Sequence, residues 1–272
     1  MTDLTYEKLA NHLVSTVLEA GRLILSIRKK GYTVDTKTDS SPVTEADKRV
    51  EKLLLKLLAE IAPHIPVIAE EEMASGQTPS INSDNPFFLI DPLDGTRDFC
   101  ENRDDFTINV GLIENRRPTF GLIYAPARTE LFLTLTEDTA LFTKVEPLKT
   151  VRCLEDLNLS QIKVRSGTHG HLHALVSRSE TKSEFSDKIK QFGADKITGM
   201  GSAIKFCLLA RGDADIYPRF GATHEWDTAA GQAILEAAGG SLLSMDGSPF
   251  TYGNCHQKYL NGPFIARGRG HF

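Results

Sequence analysis

The chain has 272 residues, 40% hydrophobic and 25% charged, with a net charge of −5, which suits a globular enzyme with a substantial core. No basic run is present, so a nucleic-acid polymer is not an expected partner, and no stretch approaches the roughly 18 apolar residues of a membrane span. Cys100, Cys153, Cys207 and Cys255 lie far apart, in neither a zinc nor a disulfide pattern, and the start has no signal-peptide character; a soluble cytoplasmic protein is expected.

Leu9, Leu13, Val14, Val17, Leu18, Ile24 and Leu25 recur at helical spacing and predict an amphipathic helix over residues 5–29. Thr33 to Pro42 reads as a mobile polar loop. A second helix is expected from Thr44 through Val50, Leu54 and Leu58 to Ile61, stopped by Pro63. Val67-Ile68-Ala69 reads as a short strand delivering Glu70 and Glu71, and residues 74–86 as a loop. Phe87 to Ile90 predicts a buried strand. Phe106–Ile113 and Thr119–Tyr124 predict a hairpin, and Leu131–Leu135 with Ala140–Lys144 another. Ile162-Lys163-Val164 and Ala174–Ser177 read as strands, alternating with helices near 181–192, 202–211 and 226–238. The expected organisation is an N-terminal α+β domain over 1–150 with an antiparallel sheet, and a C-terminal α/β domain over 151–272.

Chemistry concentrates in Asp91-Pro92-Leu93-Asp94-Gly95-Thr96. Two aspartates at a strand end, followed by Gly-Thr, suit a hard cation such as Mg²⁺ or Mn²⁺ together with a phosphate. If Asp94 is an N-cap, the free amides of Gly95 and Thr96 form an anion site; a plain capped turn with no ligand is the alternative. Glu70 gains interest because a neighbouring strand would bring it to the same edge as Asp91. Thr44 and Asp47 fit a capping box, a role compatible with Asp47 accepting a proton from a hydroxyl. Trp226-Asp227-Thr228-Ala229-Ala230-Gly231 opens a helix whose small residues permit close packing, or simply places an acid beside the helix dipole. Lys205 and Arg219 could meet an anion; the alternative is a surface lysine and a turn. His169, His171 and His173 read as exposed loop histidines.

Taken together, these segments resemble the inositol monophosphatase superfamily of Mg²⁺-dependent, often lithium-sensitive phosphatases, through Asp91–Thr96, Trp226–Gly231, Glu70-Glu71 and Ser41-Pro42-Val43-Thr44 with Asp47. The likeness spans roughly residues 5–267. Gly201-Ser202, Lys205-Phe206-Cys207, Tyr217–Gly221, Ser177-Arg178-Ser179 and Tyr259-Leu260-Asn261 make the second half similar to the bacterial CysQ-type 3'(2'),5'-bisphosphate nucleotidases. The resemblance implies a layered α-β-α-β-α sandwich, and two or three Mg²⁺ ions held by Glu70, Asp91, the Leu93 carbonyl, Asp94 and Asp227, with Glu71 behind them. It implies that Thr96 and Asp47, with Glu70, activate the attacking water, and that Gly95 and Thr96 hold phosphate. Ser179, Ser202, Lys205, Arg219 and Asp227 would face the substrate.

The implied reaction removes the 3'-phosphate of adenosine 3',5'-bisphosphate to give AMP, and extends to its phosphosulfate analogue in sulfur assimilation. Inositol monophosphatase, sugar bisphosphatase and a non-catalytic nucleotide sensor are the alternatives. A monomer or homodimer is implied. Relatives also associate with the inner membrane face, although no basic amphipathic helix predicts an anchor here. The sequence departs from its relatives at Glu180, where His is usual, and at Gly262-Pro263.

Overall fold

Thr5 starts the first helix by accepting a hydrogen bond from Lys8 N (3.3 Å), and α1 then runs Tyr6–Lys30 with Leu9, Leu13, Val14, Val17 and Ile24 buried on one face. The computed structural model describes residues 5–37, 41–77, 79, 81–166, 171–181 and 183–269. After α1, β1 (Val34–Thr36) pairs antiparallel with β2 (Pro42–Thr44), so the segment expected as a loop is partly a hairpin; Thr38, Asp39 and Ser40 lie outside the described residues. The helix α2 (Glu45–Ile61) follows, then β3 (Val67–Ala69), the short α3 (Glu70–Ala74), β4 (Phe87–Asp94) and the single turn α4 (Thr96–Cys100).

The two hairpins come next: β5 (Thr107–Glu114) with β6 (Arg117–Ala125), then β7 (Glu130–Thr136) with β8 (Thr139–Lys144). The strand β9 (Ser160–Ile162) adds to the free edge of β8, so the first sheet runs past residue 150, and Lys163 and Val164 are not strand. Seven strands in the order β3 to β9 form this sheet, all antiparallel except β3 with β4.

The remainder comprises β10 (Leu172–Ser177), α5 (Ser183–Lys190), β11 (Ala194–Met200), α6 (Ile204–Ala210), β12 (Ile216–Arg219), β13 (Thr223–His224) and α7 (Glu225–Ala237), then β14 (Ser241–Ser244), β15 (Leu260–Asn261) and β16 (Phe264–Arg267). A second sheet has the order β11-β10-β12-β16-β14. His171 is an exposed histidine just before β10, as expected, and meets Asp195 at 3.1 Å, whereas His173 sits within β10 and meets Thr198 Oγ1 at 2.9 Å; His169 lies outside the described residues.

Three apolar clusters define five layers. Helices α1 and α2 cover one face of the first sheet through Val17, Leu54, Val110 and Leu122. Helices α6 and α7 fill the space between the sheets with Phe206, Ile234, Ile123 and Phe264, and α5 covers the far face of the second sheet through Ile189. This is the expected α-β-α-β-α sandwich.

One contact inside it places α7, the helix that carries Asp227. Gly111 and Gly121 face each other across β5 and β6, and α7 lies in the groove they leave. A Cβ on Gly121 would press into the Ala230 carbonyl oxygen, and one on Gly111 would stand 2.9 Å from the Ala229 methyl. Gly121→Ala is therefore expected to destabilise the protein by about 2 kcal/mol, since overpacking against backbone has no rotamer escape. Urea unfolding of the two proteins measures it; an unchanged midpoint would show that α7 is free to shift.

Candidate active site

The site begins with an irregularity in β4. Residues three apart in a regular strand point to opposite faces. Here Asp91 pairs with Asn109 but Asp94 pairs with Thr107, three steps against two. That extra residue is a bulge, and Pro92, which has no N–H for the ladder, sits inside it. The bulge brings both aspartates to one edge. Asp227, in the first turn of α7, completes the group: one carboxylate oxygen from each of Asp91, Asp94 and Asp227 lies within 4.8 Å of the others.

Glu70 joins them from the adjacent strand end. Because β3 runs parallel to β4 with Ala69 opposite Ile90, Glu70, which follows the end of β3, comes beside Asp91 in β4. Burial, followed by the charge of Glu70, raises the Asp91 carboxyl well above the usual range. Burial and then the charge of Asp94 do the same to Asp227. Burial pushes Asp94 up to about 6, moderated by the Lys205 charge and by bonds from Ala203 N (2.5 Å) and Asn109 Nδ2 (3.2 Å).

Buried like charges of this kind call for a cation. The donors are all oxygen, and opposite ligands of an ion with bonds of about 2.0–2.6 Å stand roughly 4–5 Å apart, so the cluster fits a hard divalent cation. The residues therefore fit the group that the sequence implies.

Thr96 stands beside the cluster. Gly95 precedes it with φ +90°, which a side chain would strain, and a Cβ there would meet the Asp105 carbonyl at 2.9 Å. Gly95, not Asp94, is the N-cap of α4; Asp94 remains in the strand because its pairing with Thr107 holds it there. Thr96 Oγ1 lies 2.9 Å from Asp47 Oδ1 and 3.0 Å from the Leu93 carbonyl. Asp47 Oδ2 accepts from Thr44 N and Thr44 Oγ1, each at 2.8 Å, so capping and a proton-accepting geometry coexist. Burial raises the Asp47 pKa against the pull of these hydrogen bonds.

A cavity of about 380 Å³ opens over this arrangement and is lined by Glu70, Asp91, Leu93, Asp94, Gly95, Thr96 and Asp227, and also by Ser179, Ser202, Lys205 and Arg219. Asp47 lies behind Thr96, outside the lining. Glu71 faces a second cavity, of about 360 Å³, beside Lys37 and Glu51. Lys37 Nζ bridges Glu70 (2.7 Å) and Glu71 (2.5 Å), so this lysine links Glu71 to Glu70.

Lys205 is neither a surface lysine nor a free cation. It is buried, its Nζ donates to the carbonyls of Ser202 (2.5 Å) and Met200 (3.3 Å), and it lies 4.9 Å from the Tyr217 ring centre. Burial brings its pKa down to about 8. Arg219 has its Nη1 3.6 Å from Glu180 Oε2, while Glu180 Oε1 accepts from the Phe220 and Gly221 amides at 2.9 Å each. The departure at Glu180 thus anchors the turn that carries Arg219. The other departure, Gly262-Pro263, forms the turn between β15 and β16 and is not part of the cavity lining.

Sequence reasoning passed over Lys37, Asn109 and Arg97. Arg97 is exposed on the cavity rim and makes no ion pair among the described residues. Its signal was available, since it follows Thr96 directly. For Lys37 and Asn109, a lone lysine in a polar segment and a lone asparagine in a strand carried none.

A family model described as the inositol monophosphatase family matches residues 5–263. The chain is 33% identical over 264 residues to 3'(2'),5'-bisphosphate nucleotidase CysQ of Buchnera aphidicola subsp. Acyrthosiphon pisum, covering 96% of this chain and 94% of that protein. It is 36% identical over 228 residues to the protein of the same name from Salmonella typhimurium, covering 84% and 86%. Among solved structures, CysQ from Bacteroides thetaiotaomicron, a bacterial member of the inositol monophosphatase family, superposes with a TM-score of 0.76 at 30% identity, covering 96% of this chain and 97% of that one.

Proposed function

This chain belongs to the inositol monophosphatase family, and we propose that within it the protein is a divalent-cation-dependent 3'(2'),5'-bisphosphate nucleotidase. It hydrolyses the 3'-phosphate of adenosine 3',5'-bisphosphate, giving AMP and inorganic phosphate. The observation that carries this reading is a single cavity lined both by the carboxylate cluster with Thr96 and by Ser202, Lys205 and Arg219.

Glu70, Asp91, the Leu93 carbonyl, Asp94 and Asp227 would hold Mg²⁺ or Mn²⁺. When bound, such ions lower the pKa of water and neutralise charge on phosphoryl oxygens. The chain's own residues do the rest. Asp47 accepts the Thr96 hydroxyl hydrogen, so that the Thr96 oxygen takes a proton from the attacking water as its own hydrogen passes to the Asp47 carboxylate. The water oxygen bonds to phosphorus as the bond to the 3'-oxygen breaks, and that oxygen leaves with the bonding electron pair and becomes the ribose hydroxyl by taking a proton from solvent water. Gly95 and Thr96 line the wall that the phosphoryl oxygens meet. Arg219 and the Ser202 hydroxyl supply a cation and a donor for a second phosphate, which inositol monophosphate lacks. Lys205 contributes its charge from beneath, through the Ser202 carbonyl that it holds.

Among the described residues no helix is long and apolar enough to cross a membrane. Phosphate release in Mg²⁺ from adenosine 3',5'-bisphosphate, inositol 1-phosphate and fructose 1,6-bisphosphate tests the substrate. The nucleotide is expected to have a kcat/KM about tenfold or more above either sugar derivative, because a site with donors for a missing group penalises the analogue that lacks it. Faster hydrolysis of inositol 1-phosphate would overturn the reading.

A further inference from the structure

We propose that Arg178 is a positioning residue that locks the water-activating side of the cavity to the side that takes the substrate's second phosphate. The inference rests on the bisphosphate reading above. Arg178 follows β10, and its side chain is 35% exposed on the cavity wall. Its donors are directed at three separate segments. Nε donates to Asp98 Oδ1 (2.7 Å), Nη1 donates to the Gly199 carbonyl (3.1 Å), and Nη2 binds the Asp105 carboxylate. Asp98 stands two residues after Thr96 on α4, and Gly199 lies near the end of β11, two residues before Gly201 and three before Ser202. One planar fork therefore joins the element that carries Thr96 to the segment that carries Ser202.

The carboxylates it grips are themselves held from behind. Arg103 reaches Asp98 (3.2 Å), and Arg128 reaches Asp105 (3.2 Å) and Glu130 (2.9 Å). The seam has no slack. A Cβ on Gly201 would collide with the Asp98 carboxylate, and a Cβ on Gly95 would stand 3.3 Å from the Ser202 Cβ. The two segments thus meet with a glycine backbone of each against a side chain of the other, and Arg178 is the charged tie across them. A lysine carries the charge but cannot span three acceptors, and it would leave a buried carboxylate poorly paired.

A substrate with two anchoring groups feels an error in the register of the two sides; a substrate with one does not. Phosphate release in saturating Mg²⁺ is therefore measured for wild type, Arg178→Lys and Arg178→Met on adenosine 3',5'-bisphosphate and on adenosine 3'-monophosphate, with thermal melting to report the folded fraction. Wild type is expected to prefer the bisphosphate. Both variants are expected to lose roughly 30–100-fold in kcat/KM on it, the scale of a small misplacement of reacting groups, with the monophosphate changed by no more than about threefold. Arg178→Lys that keeps the wild-type preference would overturn the role, because charge alone would then suffice. Equal losses on both substrates would also overturn it, as general damage. A wild type without the preference removes the substrate reading and this inference together; a wild type with it, beside variants that keep it, removes the inference alone.

Discussion

Asp94→Asn is expected to abolish cation-dependent phosphate release and, in the absence of divalent cations, to raise the melting temperature. The two effects have one cause. Asp94 shares an edge with Asp91 and Asp227, their oxygens within 4.8 Å. With a cation present, that closeness makes a ligand set, and losing one charged ligand should cost about 10³-fold in kcat or more, the scale on which a single charge-stabilising group acts. Without a cation, the same closeness is repulsion. Burial raises all three carboxyls, Asp94 to about 6 and Asp91 and Asp227 well above their ordinary values.

A raised carboxyl pKa means that the folded protein binds protons more tightly than the unfolded chain does. The associated stability is complete below the ordinary carboxylate range and is lost as pH rises through the folded value, about 6 for Asp94. The metal-free protein should therefore be less stable at pH 8 than at pH 5.5. Asparagine removes one of the repelling charges while its amide oxygen can still accept from Ala203 N. The gain at pH 8 should be about 1 kcal/mol, or roughly 2–4 °C for a chain of this size. Calorimetry with and without MgCl₂ checks both halves: Mg²⁺ should raise the wild-type melting temperature and have little effect on the variant. Normal turnover by Asp94→Asn, or a wild-type melting temperature indifferent to Mg²⁺, would remove the cluster from its role.

Where a feature was local, the sequence revealed it well. The periodic apolar residues of α1 and α2 gave their ends to within a residue or two, because one buried helical face demands that spacing. The capping box at Thr44 and Asp47 was readable for the same reason: cap and partner are three residues apart. The small residues Ala229, Ala230 and Gly231 announced a close helix contact, but the Gly111 and Gly121 groove that receives Ala229 and Ala230 lies over a hundred residues upstream and depends on strand register.

The failures have that long-range character too. Lys205 reads as a free cation until Tyr217 and the carbonyls of Met200 and Ser202 close around it. Asp94 reads as a cap until its pairing with Thr107 is known. The bulge at Pro92 explains how Asp91 and Asp94 come to share a face, and a pattern search can find the string without that reason. Lys37 reaches Glu70 across 33 positions, a meeting that no periodicity encodes.

The second large effect is expected from Asp47→Asn, with kcat lower by about 10² to 10⁴ and the fold intact, the range for losing a positioned acid–base group. Thr96 has one hydroxyl hydrogen and two acceptors in reach, Asp47 Oδ1 at 2.9 Å and the Leu93 carbonyl at 3.0 Å. An ionised Asp47 wins it, because a charged acceptor makes the stronger bond. Asparagine reverses the polarity. Its oxygen must stay on Thr44 N to cap α2, so its NH₂ turns toward Thr96 Oγ1 and occupies the lone pair that the water needs. The cap survives this exchange, and the stability cost should stay below about 1 kcal/mol.

Thr96→Val should be as slow as Asp47→Asn, whereas Thr96→Ser, which keeps the hydroxyl, should stay within about tenfold of wild type. The double variant Asp47→Asn with Thr96→Val should be no slower than either single one, since both break the same relay. Burial places Asp47 above the ordinary carboxylate range, so the wild-type rate should fall on the acid side as Asp47 takes up a proton, and that limb should be missing in Asp47→Asn. Losses that multiply in the double variant, or an acid limb that persists without Asp47, would mean that the proton leaves the water by another route.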